Sequence, residues 1–136
     1  MQHVPLIKDI VLIGGGHTHA LLIRKWAMKP LPGVRLTLIS RDVLTPYSGM
    51  LPAYVAGHYT HAETHIDLAR LCQWAGVQFI QASVTGLDLS SNRVFIDQRP
   101  QLAALEFDLV SINTGSTPDT SSVAGAAAFA LSLIHI

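Results

Sequence analysis

The hydrophobic positions of this chain fall into short runs and one-sided segments that predict different elements. Asp9-Ile10-Val11-Leu12-Ile13 is a continuous branched apolar run, the pattern of a strand covered on both faces in a parallel sheet. Gly14-Gly15-Gly16 ends it. From about Thr18 to Lys29 the apolar positions Leu21, Leu22, Ile23, Trp26 and Met28 predict a helix, stopped by Pro30 and Pro32 with a turn at Gly33. Val34 to Ser40 reads as a second strand. Residues 9–40 are therefore strand, glycine turn, helix and strand, one βαβ unit.

Residues 41–60 read as irregular, with Pro46, Gly49, Pro52 and Gly57. A loop this long is functional or disordered, and Tyr47, Met50, Leu51, Tyr54, Val55 and Tyr59 favour an ordered, functional one. Thr64 and Asp67 have capping-box spacing and predict a helix through Leu68, Leu71 and Trp74 to Gly76. Val77 to Ile80 is a short strand. Residues 83–88 and 93–97 alternate apolar and polar around Ser90-Ser91-Asn92, as in an antiparallel hairpin or meander. Phe107 to Ile112 is another buried strand, ended by Asn113-Thr114-Gly115. No repeat or low-complexity linker interrupts the pattern.

A length of 136 residues fits about one domain. Composition adds a constraint: 49% of residues are hydrophobic and only 13% charged, against about 25% charged in an average soluble protein. Part of the surface is therefore expected to be covered by something outside this chain. Nine basic and nine acidic residues give zero net charge, which argues against nucleic acid as the main partner. Cys72 is the single cysteine, so neither an internal disulfide nor a CxxC redox or zinc pair can form. Residues 10–13 are too short for the apolar core of a signal peptide. The apolar tail from Val123, interrupted by Ser132 and His135, is shorter than the roughly 20 residues of a membrane span. The expected location is the cytoplasm, with peripheral membrane contact through another region left open.

Chemistry concentrates at Gly14-Gly15-Gly16-His17-Thr18-His19, which follows a strand and opens a helix. This is the setting of a pyrophosphate site. Gly14 permits a tight turn, Gly16 lets backbone approach phosphate oxygens, and the helix N-terminus offers unpaired N–H groups with partial positive charge. Two departures stand out from GxGxxG. Its third glycine is His19, so the helix is expected to stand off slightly with Ala20 making the close contact. The acidic residue that holds a ribose hydroxyl about 20 positions on is replaced by Ser40, followed by Arg41 and Asp42. Serine can still hydrogen-bond a ribose. Arg41 would suit a 2′-phosphate, so NADP stays open on these residues.

Together, the glycine turn, the strand–turn–meander order and Phe107 to Gly115 resemble the FAD domain of flavoproteins with two dinucleotide-binding domains, the family of type II NADH dehydrogenases and pyridine nucleotide-disulfide oxidoreductases. Their second flavin motif ends Ala-Thr-Gly; here it ends Asn113-Thr114-Gly115. Residues 14–19, Leu36 to Ser40, Tyr47-Ser48-Gly49-Met50-Leu51-Pro52 and His65-Ile66-Asp67-Leu68 are similar to the branch fused to, or encoded beside, selenide, water dikinase. The resemblance covers residues 8 to about 130 and implies an α/β, Rossmann-like FAD-binding domain, incomplete, with a parallel sheet, helices and an antiparallel β-meander. It implies that Gly14, Gly15, Gly16, His17 and Thr18 wrap the FAD pyrophosphate and that Ser40 and Arg41 border the adenosine ribose. Tyr47, Ser48, Gly49 and Met50 would run beside the flavin end. Val84 would approach the adenine through its backbone, and Thr114 and Gly115 would pass close to the glycine turn.

The same resemblance implies electron transfer from NAD(P)H through FAD to an acceptor without a protein thiol, and no catalytic side chain is assigned. An NAD(P)H-binding domain of the same protein, and a fused or neighbouring selenide, water dikinase, are the implied partners. Residues 1–130 are expected to be the FAD-binding part. Residues 131–136 resemble the translated end of a transposase adapter, so the native sequence is expected to stop near Ala130; a genuine apolar terminal helix is the alternative.

Other readings compete. A non-catalytic FAD- or NAD(P)-binding module and an NADP-binding dehydrogenase domain fit the same turn. His61 and His65, four apart, could share a helix face as metal ligands, but Thr64 as a helix cap would leave His61 outside, and no metal site is assigned. Cys72 is expected to be a small buried apolar residue, and Trp26, Trp74 and Tyr54 are expected in the core.

Overall fold

Residues 5, 8–97, 104–115, 119 and 121–129 are described in the computed structural model of the chain. The first apolar run forms β1 (Lys8–Ile13), followed by α1 (His17–Met28) and β2 (Val34–Ser40). β1 and β2 pair in parallel, with Ile10 opposite Leu36 and Ile13 opposite Ile39. This is the βαβ unit expected from the sequence.

The stretch 41–60 is not a plain loop. It contains β3 (Leu44–Pro46), a 3₁₀ turn (Ser48–Met50) and α2 (Leu51–Val55). β3 pairs antiparallel with β4 (His65–Asp67). α3 (Leu68–Ala75) follows, but its cap is Asp67 rather than Thr64. The Asp67 carboxylate accepts from the Arg70 amide at 3.0 Å, while Thr64 is buried in the preceding 3₁₀ turn. Gly76 ends the helix in a left-handed conformation.

β5 (Gln78–Gln81) completes one side of the sheet. β6 (Val84–Asp88), β7 (Arg93–Ile96) and β8 (Leu105–Glu106) form the antiparallel meander. Its tight turn is closed by Asp88, which accepts from the hydroxyls and amides of Ser90 and Ser91. Those donors, led by the Ser90 hydroxyl, hold the Asp88 carboxyl well below the usual carboxylate range. The final strand differs from expectation: Leu105 and Glu106 join the meander, Phe107 is buried between sheets, and only β9 (Leu109–Ile112) enters the parallel sheet. Leu109 and Ile112 are exposed because β9 lies at the edge of that sheet among the described residues. A short α4 (Ala126–Phe129) closes the described part; residues 131–136 lie outside it.

The parallel sheet has the order β5-β2-β1-β9. Strand alternation divides its side chains between two cores. Leu12, Leu36 and Leu38 face α1 and α3, where they meet Ile23, Leu68 and Cys72. Val11, Ile13 and Ile39 face the meander, where they meet Val94 and Phe107. The result is three layers: helices, parallel sheet and antiparallel sheet. Two apolar assignments change. Leu21, Leu22 and Met28 of α1 are exposed, its buried residues being His19, Ala20 and Ile23, and Trp74 is 63% exposed. Cys72 and Ala75 take the core positions of α3 instead, four and seven residues after Leu68 on the same buried face.

The chain reverses its direction of growth between β1 and β9. This is the strand order of a doubly wound, Rossmann-like α/β fold, whose ligands bind beyond the carboxyl ends of the strands at that switch point. Burial pushes the Cys72 thiol up from 9.0 to about 11. The unfolded chain then loses this proton first as pH rises. Cys72 should therefore withdraw stability from pH 9 upward, by about 1.4 kcal/mol per pH unit until its folded-state value is reached. Denaturant titrations of wild type and Cys72→Ala at several pH values should show that slope in their difference.

Candidate functional site

β1 and β9 end side by side, and the glycine turn is packed between them and β2. Gly14 has φ of 94°, a left-handed conformation that favours glycine. Its N–H donates to the Ile39 carbonyl at 2.8 Å. Asn113 N–H donates to the Ile13 carbonyl at 2.8 Å, and the Asn113 carbonyl accepts from Gly16 N–H at 3.1 Å. A Cβ on Gly14 would strike the Asn113 carbonyl, and one on Gly15 would strike Leu68 and Ser40. One on Gly16 would strike the Asn113 side-chain amide. Gly16 has ordinary extended dihedrals, so its glycine is required here by Asn113, a cause the sequence did not reveal.

Two of the turn amides are therefore already used within the protein. Among the described residues, those of Gly15, His17 and Thr18 meet no acceptor. They lie at the start of a twelve-residue helix, where unpaired N–H groups and the helix dipole favour an anion. They border a cleft of about 1330 Å³.

Around this cleft the structure places most of the residues singled out in the sequence. Gly14 to Thr18, Ser40, Arg41, Val84 of the meander, Thr114 and Gly115 all line it. Ser48 lines the far end, whereas Gly49 is outside the wall and lies against the Tyr47 ring. Ser40 is buried and its hydroxyl donates to the Asp42 carbonyl at 2.8 Å, leaving its oxygen only as an acceptor. Arg41 grips the Asp42 carboxylate through Nε at 3.2 Å and Nη2 at 3.0 Å. Both side chains are exposed, so this pair adds little stability, but it partly cancels the charge Arg41 would offer a phosphate.

Histidines surround the turn in ways the sequence reading did not anticipate. His17 Nε2 donates to the Pro46 carbonyl at 2.7 Å and packs edge-on against Tyr47. His19 does not hold the helix away from the sheet. Its ring is buried, with Nδ1 2.7 Å from the Gly14 carbonyl and Nε2 3.0 Å from Ser111 Oγ. His65 also lines the cleft, with Nδ1 2.8 Å from the His61 carbonyl. The His61 and His65 rings lie 4.1 Å apart without sharing a helix, because a 3₁₀ turn brings them together ahead of α3. No group of three or more potential metal-ligating side chains occurs among the described residues.

No protein-family model and no curated protein matches this chain. Solved structures do resemble it. The sulfide:quinone oxidoreductase of Aquifex aeolicus is 23% identical with a TM-score of 0.64, over 82% of this chain and 25% of that one. The NAD-dependent persulfide reductase of A. fulgidus is 22% identical with a TM-score of 0.63, over 87% of this chain and 24% of that one. NDH2 of Plasmodium falciparum, solved in complex with NADH, is 16% identical with a TM-score of 0.68, over 90% of this chain and 25% of that one. The chain has the Rossmann-like fold found in these oxidoreductases. It spans about a quarter of the length of each.

The contact between Gly16 and Asn113 is open to a direct test. Gly16→Ala should destabilise the fold by about 1–3 kcal/mol through overpacking. Combining it with Asn113→Ala should cost less than the sum of the two single changes, by at least about 0.5 kcal/mol. Additive losses in chemical denaturation would show that the two residues do not share this constraint.

Proposed function

We propose that this chain is the FAD-binding part of a flavin-dependent oxidoreductase that passes electrons from NAD(P)H through FAD to an acceptor. The observation that carries the reading is the set of open amides at Gly15, His17 and Thr18 on a cleft large enough for a dinucleotide, at the switch point of a doubly wound sheet. In this reading Gly14, Gly15, Gly16, His17 and Thr18 cradle the pyrophosphate, with Thr114 and Gly115 passing close to the turn. Ser40 accepts from a ribose hydroxyl beside Arg41. Val84 borders the adenine. Ser48, with Gly49 behind it, borders the flavin.

The flavin, when bound, supplies the redox chemistry, and the protein supplies position and electrostatics. Cys72 is the single cysteine and is buried in the helical layer, so it offers no redox disulfide at this cleft. The pairing of Arg41 with Asp42 favours FAD over a 2′-phosphorylated nucleotide at this site. The NAD(P)H-binding domain belongs to a further part of the protein in this proposal. A fused or neighbouring selenide, water dikinase is the partner proposed from the sequence motifs at Tyr47 to Pro52 and His65 to Leu68. The proposed location is the cytoplasm or the membrane surface. Among the described residues, no helix is long and apolar enough to cross a membrane.

Reconstitution of the purified chain with FAD, followed by gel filtration, should leave flavin absorbance with the protein. NAD(P)H should not bleach it without the second domain. Thr114→Glu places a carboxylate at an exposed position of the cleft wall beside the glycine turn. It should weaken FAD binding at least about tenfold at low salt while changing stability by less than about 0.5 kcal/mol. Failure of the wild-type chain to retain FAD, or unchanged affinity in Thr114→Glu, would count against the proposal.

A further inference from the structure

One peptide of the glycine turn has its orientation set by a side chain. The Gly14 carbonyl lies 2.7 Å from His19 Nδ1. A carbonyl only accepts, so Nδ1 carries a proton; Ser111 Oγ lies 3.0 Å from Nε2 and donates to that nitrogen in the neutral ring. The ring is 1% exposed, and both of its nitrogens are satisfied.

Described peptide bonds are all trans, and in a trans peptide the C=O and N–H point in opposite directions. Drawing the Gly14 carbonyl onto His19 therefore turns the Gly15 N–H the other way, to a position on the cleft where it meets no acceptor among the described residues. Glycine imposes little steric preference on either side of this peptide. The two bonds that anchor the turn, from Gly14 N–H to Ile39 and from Gly16 N–H to Asn113, do not restrain it. Rotation of the Gly14–Gly15 peptide changes only ψ of Gly14 and φ of Gly15. A flipped peptide would present a carbonyl oxygen to the cleft and repel a phosphate.

We propose that His19 is a positioning residue, a latch that holds the Gly14–Gly15 peptide with its amide toward the cleft for a pyrophosphate, with Ser111 of β9 holding the ring at Nε2. The proposal rests on the dinucleotide reading of the cleft. It gives the histidine at the third-glycine position a function: steric room is exchanged for control of a loop that three glycines leave soft.

Side-chain ¹⁵N spectra of the wild-type chain at neutral pH should show His19 with its proton on Nδ1. The opposite tautomer overturns the latch, and this measurement needs no variant. FAD affinities then separate a latch from a buried residue that merely packs. Asparagine can place an amide N–H near the Nδ1 position, and glutamine near the Nε2 position. His19→Asn should bind FAD within about threefold of wild type, while His19→Gln and His19→Leu should bind at least about tenfold more weakly. Thermal midpoints would confirm that each variant is folded. Equal affinities for the Asn and Gln variants, or wild-type affinity in His19→Leu, overturn the proposal. A wild-type chain that binds no FAD defeats the reading of the cleft instead, and the latch is then decided by the tautomer.

Discussion

Asn113 and the glycine turn hold each other in place, and the geometry of the cleft follows from that contact. The parallel register sets Ile13 opposite Ile112, so β1 and β9 finish at the same level. The next residue, Asn113, binds β1 through its N–H and Gly16 through its carbonyl. Its side chain fills the space a Cβ on Gly16 would need. The turn is thus shaped by two successive strand ends. The open amides are those the clamp leaves unused, and their direction follows from the direction of the clamp.

The local part of this arrangement was legible in the sequence. Branched runs at Ile10–Ile13 and Val34–Ser40, divided by glycines and a proline-stopped helix, allow few alternatives, and the βαβ unit formed with nearly the expected bounds. Long-range causes were not legible. Nothing in the spacing reveals that Gly16 is small because of a residue 97 positions later. The capping-box spacing pointed to Thr64 as the cap, but pairing with β3 draws His65–Asp67 into a strand, and Asp67 caps the helix instead. Within α3 the spacing of Leu68, Cys72 and Ala75 puts them on the buried face and leaves Trp74 exposed.

His19 illustrates a different failure of local reasoning. Its departure from GxGxxG was visible, and a large residue at a close-packing position was expected to push the helix outward. The ring is instead absorbed in the interior because both of its nitrogens find partners, one on the turn and one on β9. A buried polar group costs little when every hydrogen-bonding site is satisfied. The position of Ser111 on the facing strand was therefore the missing datum, and only the sheet register supplies it: Ser111 stands opposite Leu12, just before the turn.

Electrostatics explain why orientation carries so much weight at this site. Among the described residues lining the cleft, Arg41 and Asp42 are the only members of the Lys, Arg, Asp and Glu set, and they bind one another. The whole chain has no net charge. In the dinucleotide reading of the cleft, attraction for a diphosphate comes from amide dipoles and the N-terminus of α1 rather than from a surplus of cations. Dipolar binding depends on direction in a way that a mobile ammonium group does not: a reversed peptide turns an attractive contact into a repulsive one. A site built this way needs its backbone held rigidly. The Asn113 clamp holds the ends of the turn, and His19 holds the peptide between them.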